Sequence, residues 1–173
     1  MIYKSYLIEE NIYRLKSNIA LFYGENIGLL DDLKRKIIEE NSKKNIVKYS
    51  QEEIITDKSK IFEEVFNVSL FQDKKIFIIT NVSDKILNII EEIIKKIDNN
   101  NLYLFGGSLE KRSKLRNLFE NQKNFDLVPC YQDDTSNISK LVRKNLKDFS
   151  NITQEVVNII VESCGTDRVK LNN

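Results

Sequence analysis

The chain has no histidine among its 173 residues, and that absence excludes more chemistry than any residue present. It removes the commonest general base, the usual partner of a serine or cysteine nucleophile, and the commonest zinc ligand. Carboxylate and lysine chemistry stay open. Proline occurs once, as Pro129, and cysteine twice, as Cys130 and Cys164. The two thiols are isolated from each other and from any metal-ligand spacing, which fits small hydrophobes in a reducing compartment. No run of about 18 apolar residues occurs and no charged-then-apolar leader opens the chain, so neither a membrane span nor secretion is expected, and the expected location is the cytoplasm. An excess of one charge is missing too. Lys and Arg number 27 against 26 Asp and Glu, a net charge of +1, so no bulk field draws the protein onto nucleic acid or an anionic membrane. Any nucleic-acid contact must be local.

What is present is a hydrophobic content of 41%, enough for one ordinary core or one core plus a fragment. The abundance of Ile, Lys and Asn has the look of a coding bias, and Asn-rich spots such as Asp98 to Asn101 receive no functional weight.

Tyr6 to Leu15 places Leu7, Ile8, Ile12 and Leu15 at helical spacing, a modest amphipathic helix. Ile19 to Tyr23 is a buried strand stopped by Gly24, and Asn26 is suited to cap a helix from Ile27 to about Asn41. Ile46 to Tyr49 is a shorter strand nearer an edge. Asp57 or Ser59 starts the next helix, which carries Ile61, Phe62, Val65, Phe66 and Val68 and leads to a β-branched and aromatic strand, Lys75 to Thr80. Ser83 or Asp84 caps a helix through Ile97; Leu102 to Phe105 is a strand; Glu110 to about Glu120 is a helix. Asp126 to Tyr131 is the fifth strand, and Pro129 within it argues that it ends irregularly or lies at an edge. Five strands alternating with helices predict an α/β fold with a doubly wound parallel sheet, over residues 1–132. From Asp133 only helices are expected. Ser136 or Asn137 and then Thr153 are their caps, and Arg168 to Asn173 is about one and a half turns. Residues 133–173 are therefore expected to be a small helical unit cut short in mid-element.

Strand, glycine turn, helix is where an α/β protein binds phosphate, but the turn is GENIGLLDDL. A phosphate loop needs a longer Gly-rich cradle, then a lysine and a Ser or Thr hydroxyl. After Gly28 stand Leu29 and Leu30, with Asp31 and Asp32 following. The strand that should end in a magnesium-binding acid ends Thr80-Asn81-Val82. Neither ATP hydrolysis nor a metal or other cofactor is expected, and no catalytic residue is assigned. The remaining enzyme alternative is a P-loop-like ATPase fragment using an unusual loop from Gly24 to Gly28.

Two basic faces are candidates for phosphate contact: Lys140, Arg143, Lys144 and Lys147 on one helix, and Lys111, Arg112, Lys114 and Arg116 on another. Neither interleaves aromatics with charge, so a solvated face explains each as well. The pairs Glu9-Glu10, Glu39-Glu40, Glu63-Glu64 and Glu91-Glu92 sit on helix outsides and serve solvation. Ser69-Leu70-Phe71 stands between a helix and a strand, followed by Gln72-Asp73-Lys74-Lys75. This apolar pair either folds into the core or projects as an anchor for a partner.

The order of Leu21-Phe22-Tyr23-Gly24-Glu25, Val68-Ser69-Leu70-Phe71, Leu109-Glu110-Lys111-Arg112-Ser113-Lys114 and Cys164-Gly165-Thr166-Asp167 resembles the delta subunit of the bacterial DNA polymerase III clamp loader. No single motif is specific; their order and spacing are. The resemblance implies an AAA+-like fold that does not hydrolyse ATP, a helical lid, and binding to the ring-shaped sliding clamp during DNA replication. It implies that Leu70 and Phe71, with Ser69 before them, enter a pocket on the clamp and help to open the ring. The family's third, collar domain, which assembles delta with the other clamp-loader subunits, has no counterpart in the sequence. DNA contact is expected to be indirect or weak.

Overall fold

The computed structural model describes residues 1–66 and 74–172. The expected Ser69-Leu70-Phe71 element lies outside the described residues. Five strands form one sheet: β1 (Ile19–Tyr23), β2 (Asn45–Ser50), β3 (Lys75–Val82), β4 (Asn101–Gly106) and β5 (Asp126–Pro129). Their order is β2-β3-β4-β1-β5 and every pairing is parallel. Pro129 thus falls on an outer strand, where its missing N–H removes no bond from the interior of the sheet. Residues Met1 to Tyr3 run along the outside of β5, with Tyr3 N donating to the Leu127 carbonyl at 2.9 Å and Leu127 N to that of Met1 at 2.8 Å, which protects that edge.

Alternation along the strands builds two cores. Ile19, Leu21 and Tyr23 of β1 face one side with Phe77, Ile79, Leu102 and Leu104, whereas Ala20 and Phe22 face the other with Ile76, Ile78 and Phe105. Helices α3 (Gln51–Thr56), α4 (Lys58–Phe66), α5 (Leu87–Ile94) and α6 (Lys114–Asn121) cover the first face through Ile54, Ile61, Ile90 and Phe119. Helices α1 (Ser5–Glu10) and α2 (Ile27–Glu40) cover the second through Ile8, Leu29, Leu33 and Ile37. Both faces buried is what a parallel sheet requires. A third core belongs to α7 (Thr135–Asn145) and α8 (Gln154–Cys164), where Ile138, Val142, Val157, Val161 and Cys164 meet. The chain then makes α9 (Arg168–Asn172).

Several boundaries depart from the sequence-based expectation. The first helix stops at Glu10 because Asn11 turns out to extended backbone, and its side chain caps a 3-10 turn over Ile12–Arg14. Helix α3 was not anticipated, although Ser50 and Glu53 form the capping box that starts it. Ser83 first caps a 3-10 turn over Asp84–Ile86, and α5 ends at Ile94. Helix α6 begins at Lys114 because Ser113 caps it through Arg116 N. Helix α7 is capped two or three residues earlier than expected, by Asp134, whose carboxylate accepts from Asn137 N at 2.7 Å.

Candidate functional site

The loops leaving β1 and β4 pass to opposite faces of the sheet, since α2 and α6 pack in different cores. In open α/β sheets the crevice between such loops is the usual ligand site. Here it is filled by backbone. Gly24 N donates to the Gly107 carbonyl at 3.1 Å, Asn26 N to that of Cys130 at 3.2 Å, and Cys130 N to that of Tyr23 at 2.7 Å. Gly24 has φ +152°, and a Cβ there would stand 2.0 Å from the Cys130 carbonyl oxygen. Only glycine fits so close an approach.

Only Glu25 and Asn26 separate this glycine from the first residue of α2. Asn26, 3% exposed, accepts from Leu29 N at 3.0 Å and donates from Nδ2 to the Tyr131 carbonyl at 3.0 Å and to Asp133 Oδ2 at 2.7 Å. Asn26 thus caps the helix start from within the chain. At the end of β3, where a magnesium-binding acid would stand, Asn81 takes φ 59° at a register shift between Thr80 and Val82.

Above this loop lies Arg168. Its side chain is 3% exposed and its backbone seats on Gly28, where a Cβ would be 2.7 Å from Arg168 Cβ. The guanidinium forks onto Asp133, Nε to Oδ2 at 2.8 Å and Nη2 to Oδ1 at 2.9 Å. Nη1 also reaches Glu9 Oε1 at 2.7 Å and Asp32 Oδ2 at 3.4 Å. Desolvation draws the Arg168 pKa down, but the hydrogen bonds to Asp133 and Glu9 outweigh it and raise it. Asp32 is shared with Arg35, so the guanidinium and its carboxylates form one ion-pair network. Beneath them burial pushes the Cys130 thiol up to about 12, so it stays protonated.

Glu9 is therefore no solvating helix acid; it is a partner of a buried arginine, and neither it nor Arg168 carries a local sequence signal of that role. Arg116, expected outward, is folded inward. Its guanidinium lies 5.1 Å from the Tyr23 ring centre, Nε meets Glu120 Oε1 at 2.8 Å, and the side chain is 16% exposed. Burial, then a hydrogen bond with Tyr131, pushes the Tyr23 phenol up to about 12.

Lys140, Arg143, Lys144 and Lys147 are all exposed near α7, but their surroundings divide them. Lys140 and Lys144 line a cleft of about 550 Å³ shared with Glu9 and Glu10, whereas Arg143 donates to the Gln154 side chain on α8. Gly24 and Gly28, the degenerate loop, are brought together with Arg168 and Cys130 as described. Ser69, Leu70 and Phe71 belong to the stretch between α4 and β3, whose described flanks are firmly tied. Lys75 Nζ meets Glu64 Oε2 at 2.7 Å and the Glu64 carbonyl at 3.1 Å, and Lys75 N donates to Asn100 Oδ1 at 2.9 Å. Phe62 and Phe66 stack at 5.3 Å, leaving Phe66 half exposed. These flanks lie at the amino-terminal edge of the sheet, opposite the closed loop.

Structural comparison gives three informative likenesses. Domain III of the Thermotoga maritima replication initiation protein DnaA matches 96% of this chain and 76% of its own length at 14% identity, TM-score 0.53. The Bacillus subtilis DNA clamp loader delta protein matches 96% of this chain at 13% identity, TM-score 0.62, and the chain spans 53% of that protein. AMPPCP-bound DnaA from Aquifex aeolicus matches 97% of this chain and 56% of its own length at 14% identity, TM-score 0.56. At such identities the likeness establishes an AAA+-like fold. No curated protein matches the sequence. No helix among the described residues is long and apolar enough to cross a membrane. The family model for the DNA polymerase III delta subunit matches residues 21–131, from β1 through the closed loop and the α4–β3 junction to the end of β5, and on that match the chain belongs to the DNA polymerase III delta subunit family.

Proposed function

We propose that this chain is a clamp-loader module that binds the sliding clamp through Leu70 and Phe71, with Ser69 beside them, and helps to open the ring at primed DNA. Its α/β domain spans residues 1–132 and its lid residues 133–173. The observation that carries this is the delta-subunit match over residues 21–131, which encloses the Leu-Phe pair. Two features of the chain agree with it. The turn after β1 is closed by backbone, so a role without ATP hydrolysis suits it. The Glu64–Lys75 pair ties the last turns of α4 to the start of β3, the described residues on either side of the stretch that carries Leu70 and Phe71.

Burying Leu and Phe side chains contributes roughly 3–6 kcal/mol, a large part of the about 8 kcal/mol of a micromolar complex. Such a pair qualifies as a hot spot. Further partners under this proposal are the other clamp-loader subunits, with DNA met weakly or indirectly.

The test is a hydrogen-exchange footprint of the chain with the sliding clamp of the same organism. Protection concentrated within residues 64–75 is expected. Protection confined to α7–α9, with none at 64–75, would reject the Leu-Phe assignment.

A further inference from the structure

We propose that Arg168 is the latch that joins the C-terminal helices to the α/β sheet, so that the two parts hold one arrangement that is indifferent to nucleotide. This does not depend on the clamp.

The apolar cores point to a junction made mainly of polar groups. The core of α7 and α8 is separate from the two cores of the sheet. Between α7 and the α1–α2 side lie open clefts of about 450 and 550 Å³, so α7 is not packed tightly onto the sheet there. What bridges the gap is α9, a five-residue helix too short to be stable by itself.

Its arginine ties three separate segments directly and a fourth through Asp133. Asp133 comes from the connection between β5 and α7, Glu9 from α1, and Asp32 from α2, while Asn26 of the β1–α2 turn donates to the same Asp133. Asn172 Nδ2 adds a bond to Asp32 Oδ1 at 3.1 Å. A planar guanidinium can serve several carboxylates at once in a way that lysine cannot. The approach is close, since a side chain at Gly28 would collide with Arg168 Cβ. The latch occupies the start of α2, the place where a phosphate would sit. Arrangement and nucleotide exclusion therefore come from one set of contacts.

The experiment is a distance measurement by pulsed electron paramagnetic resonance on the full chain. Spin labels are placed at the exposed positions Lys43→Cys and Glu162→Cys, Cys130 and Cys164 being buried. The native chain is expected to give one narrow distance distribution, the same with and without millimolar ATP and magnesium. Arg168→Met is expected to at least double the width while amide protection in the sheet is kept. Asp133→Asn, which removes the charge and turns one of the two acceptor oxygens into a donor facing a donor, serves as a second variant and should also broaden it. An unchanged width in the folded variants, or a native distribution that shifts on adding ATP and magnesium, would overturn the proposal.

Discussion

Replacing Gly24 by alanine tests most sharply whether the phosphate loop is closed. The added Cβ would stand 2.0 Å from the Cys130 carbonyl oxygen and 2.6 Å from its carbon, at φ +152°. Both neighbours are backbone and are held: Cys130 N is bonded to the Tyr23 carbonyl at 2.7 Å, and Asn26 N to that of Cys130 at 3.2 Å. The collision is therefore relieved only by displacing β5 from β1 or the turn from β4. Backbone strain of about 1–3 kcal/mol and overpacking of about 1–3 kcal/mol combine to about 4 kcal/mol. At about 2–4 °C per kcal/mol for a chain of this size, the melting temperature falls by roughly 8–16 °C. Gly107 is the control, since nothing lies within 4 Å of a Cβ there. Gly107→Ala should stay within about 0.5 kcal/mol of native. Thermal and urea melts of the three proteins decide it. If Gly24→Ala melts within about 2 °C of native, where about 1 kcal/mol would already show, the loop has room that the structure denies it.

Three further outcomes are expected. Millimolar ATP with magnesium leaves the melting temperature unchanged by scanning fluorimetry, whereas a site filled to 100 times its Kd would add about 2.7 kcal/mol. A clear rise would restore the nucleotide-binding alternative at Gly24 to Gly28. Asp84 accepts from Ser113 Oγ, Leu115 N and Lys114 N; partial desolvation raises its carboxyl, but these bonds prevail and hold it below the usual range. Its stabilisation is thus present above the unfolded pKa near 4 and is lost as pH falls through the lower folded value. Asp84→Ala should cost about 1 kcal/mol at pH 7, and a denaturation series should show the difference vanishing in acid. Changing Lys140, Arg143, Lys144 and Lys147 together to Gln should weaken binding to primed duplex less than about threefold, with little change in salt slope, because phosphate-tracking side chains would remove a slope of about −0.9 each. A steep loss measured by fluorescence anisotropy would instead make this face a DNA site.

The sheet was legible because its signals are local. Ile19 to Tyr23 is a complete buried strand, Gly24 ends it, and Asn26 caps the helix as its residue type suggests. The missing donor of Pro129 allowed an irregular strand end or an edge, and β5 is an outer strand. Helix α3 escaped because six residues between strand and helix give too short a period, although the Ser50-x-x-Glu53 box was readable. The latch was not legible at all. Arg168 meets partners 35, 136 and 159 residues away in the chain, and no spacing rule joins them. Glu9 and Arg116 were misplaced for the same reason: a charged residue on an amphipathic helix is expected in water until a distant element covers it. The absence of a phosphate loop was legible, whereas the means of its closure, by Cys130 and Gly107 backbone, was not.

The claim that matters most is that Leu70 and Phe71 grip the sliding clamp. The most direct measurement is titration calorimetry of the chain against the clamp of the same organism, beside the Leu70→Ala/Phe71→Ala double variant, with circular dichroism to establish that both are folded. The account predicts saturable binding by the native chain and at least a tenfold loss in the variant, about 1.4 kcal/mol or more. No binding by the native chain, or equal binding by a folded variant, would contradict it.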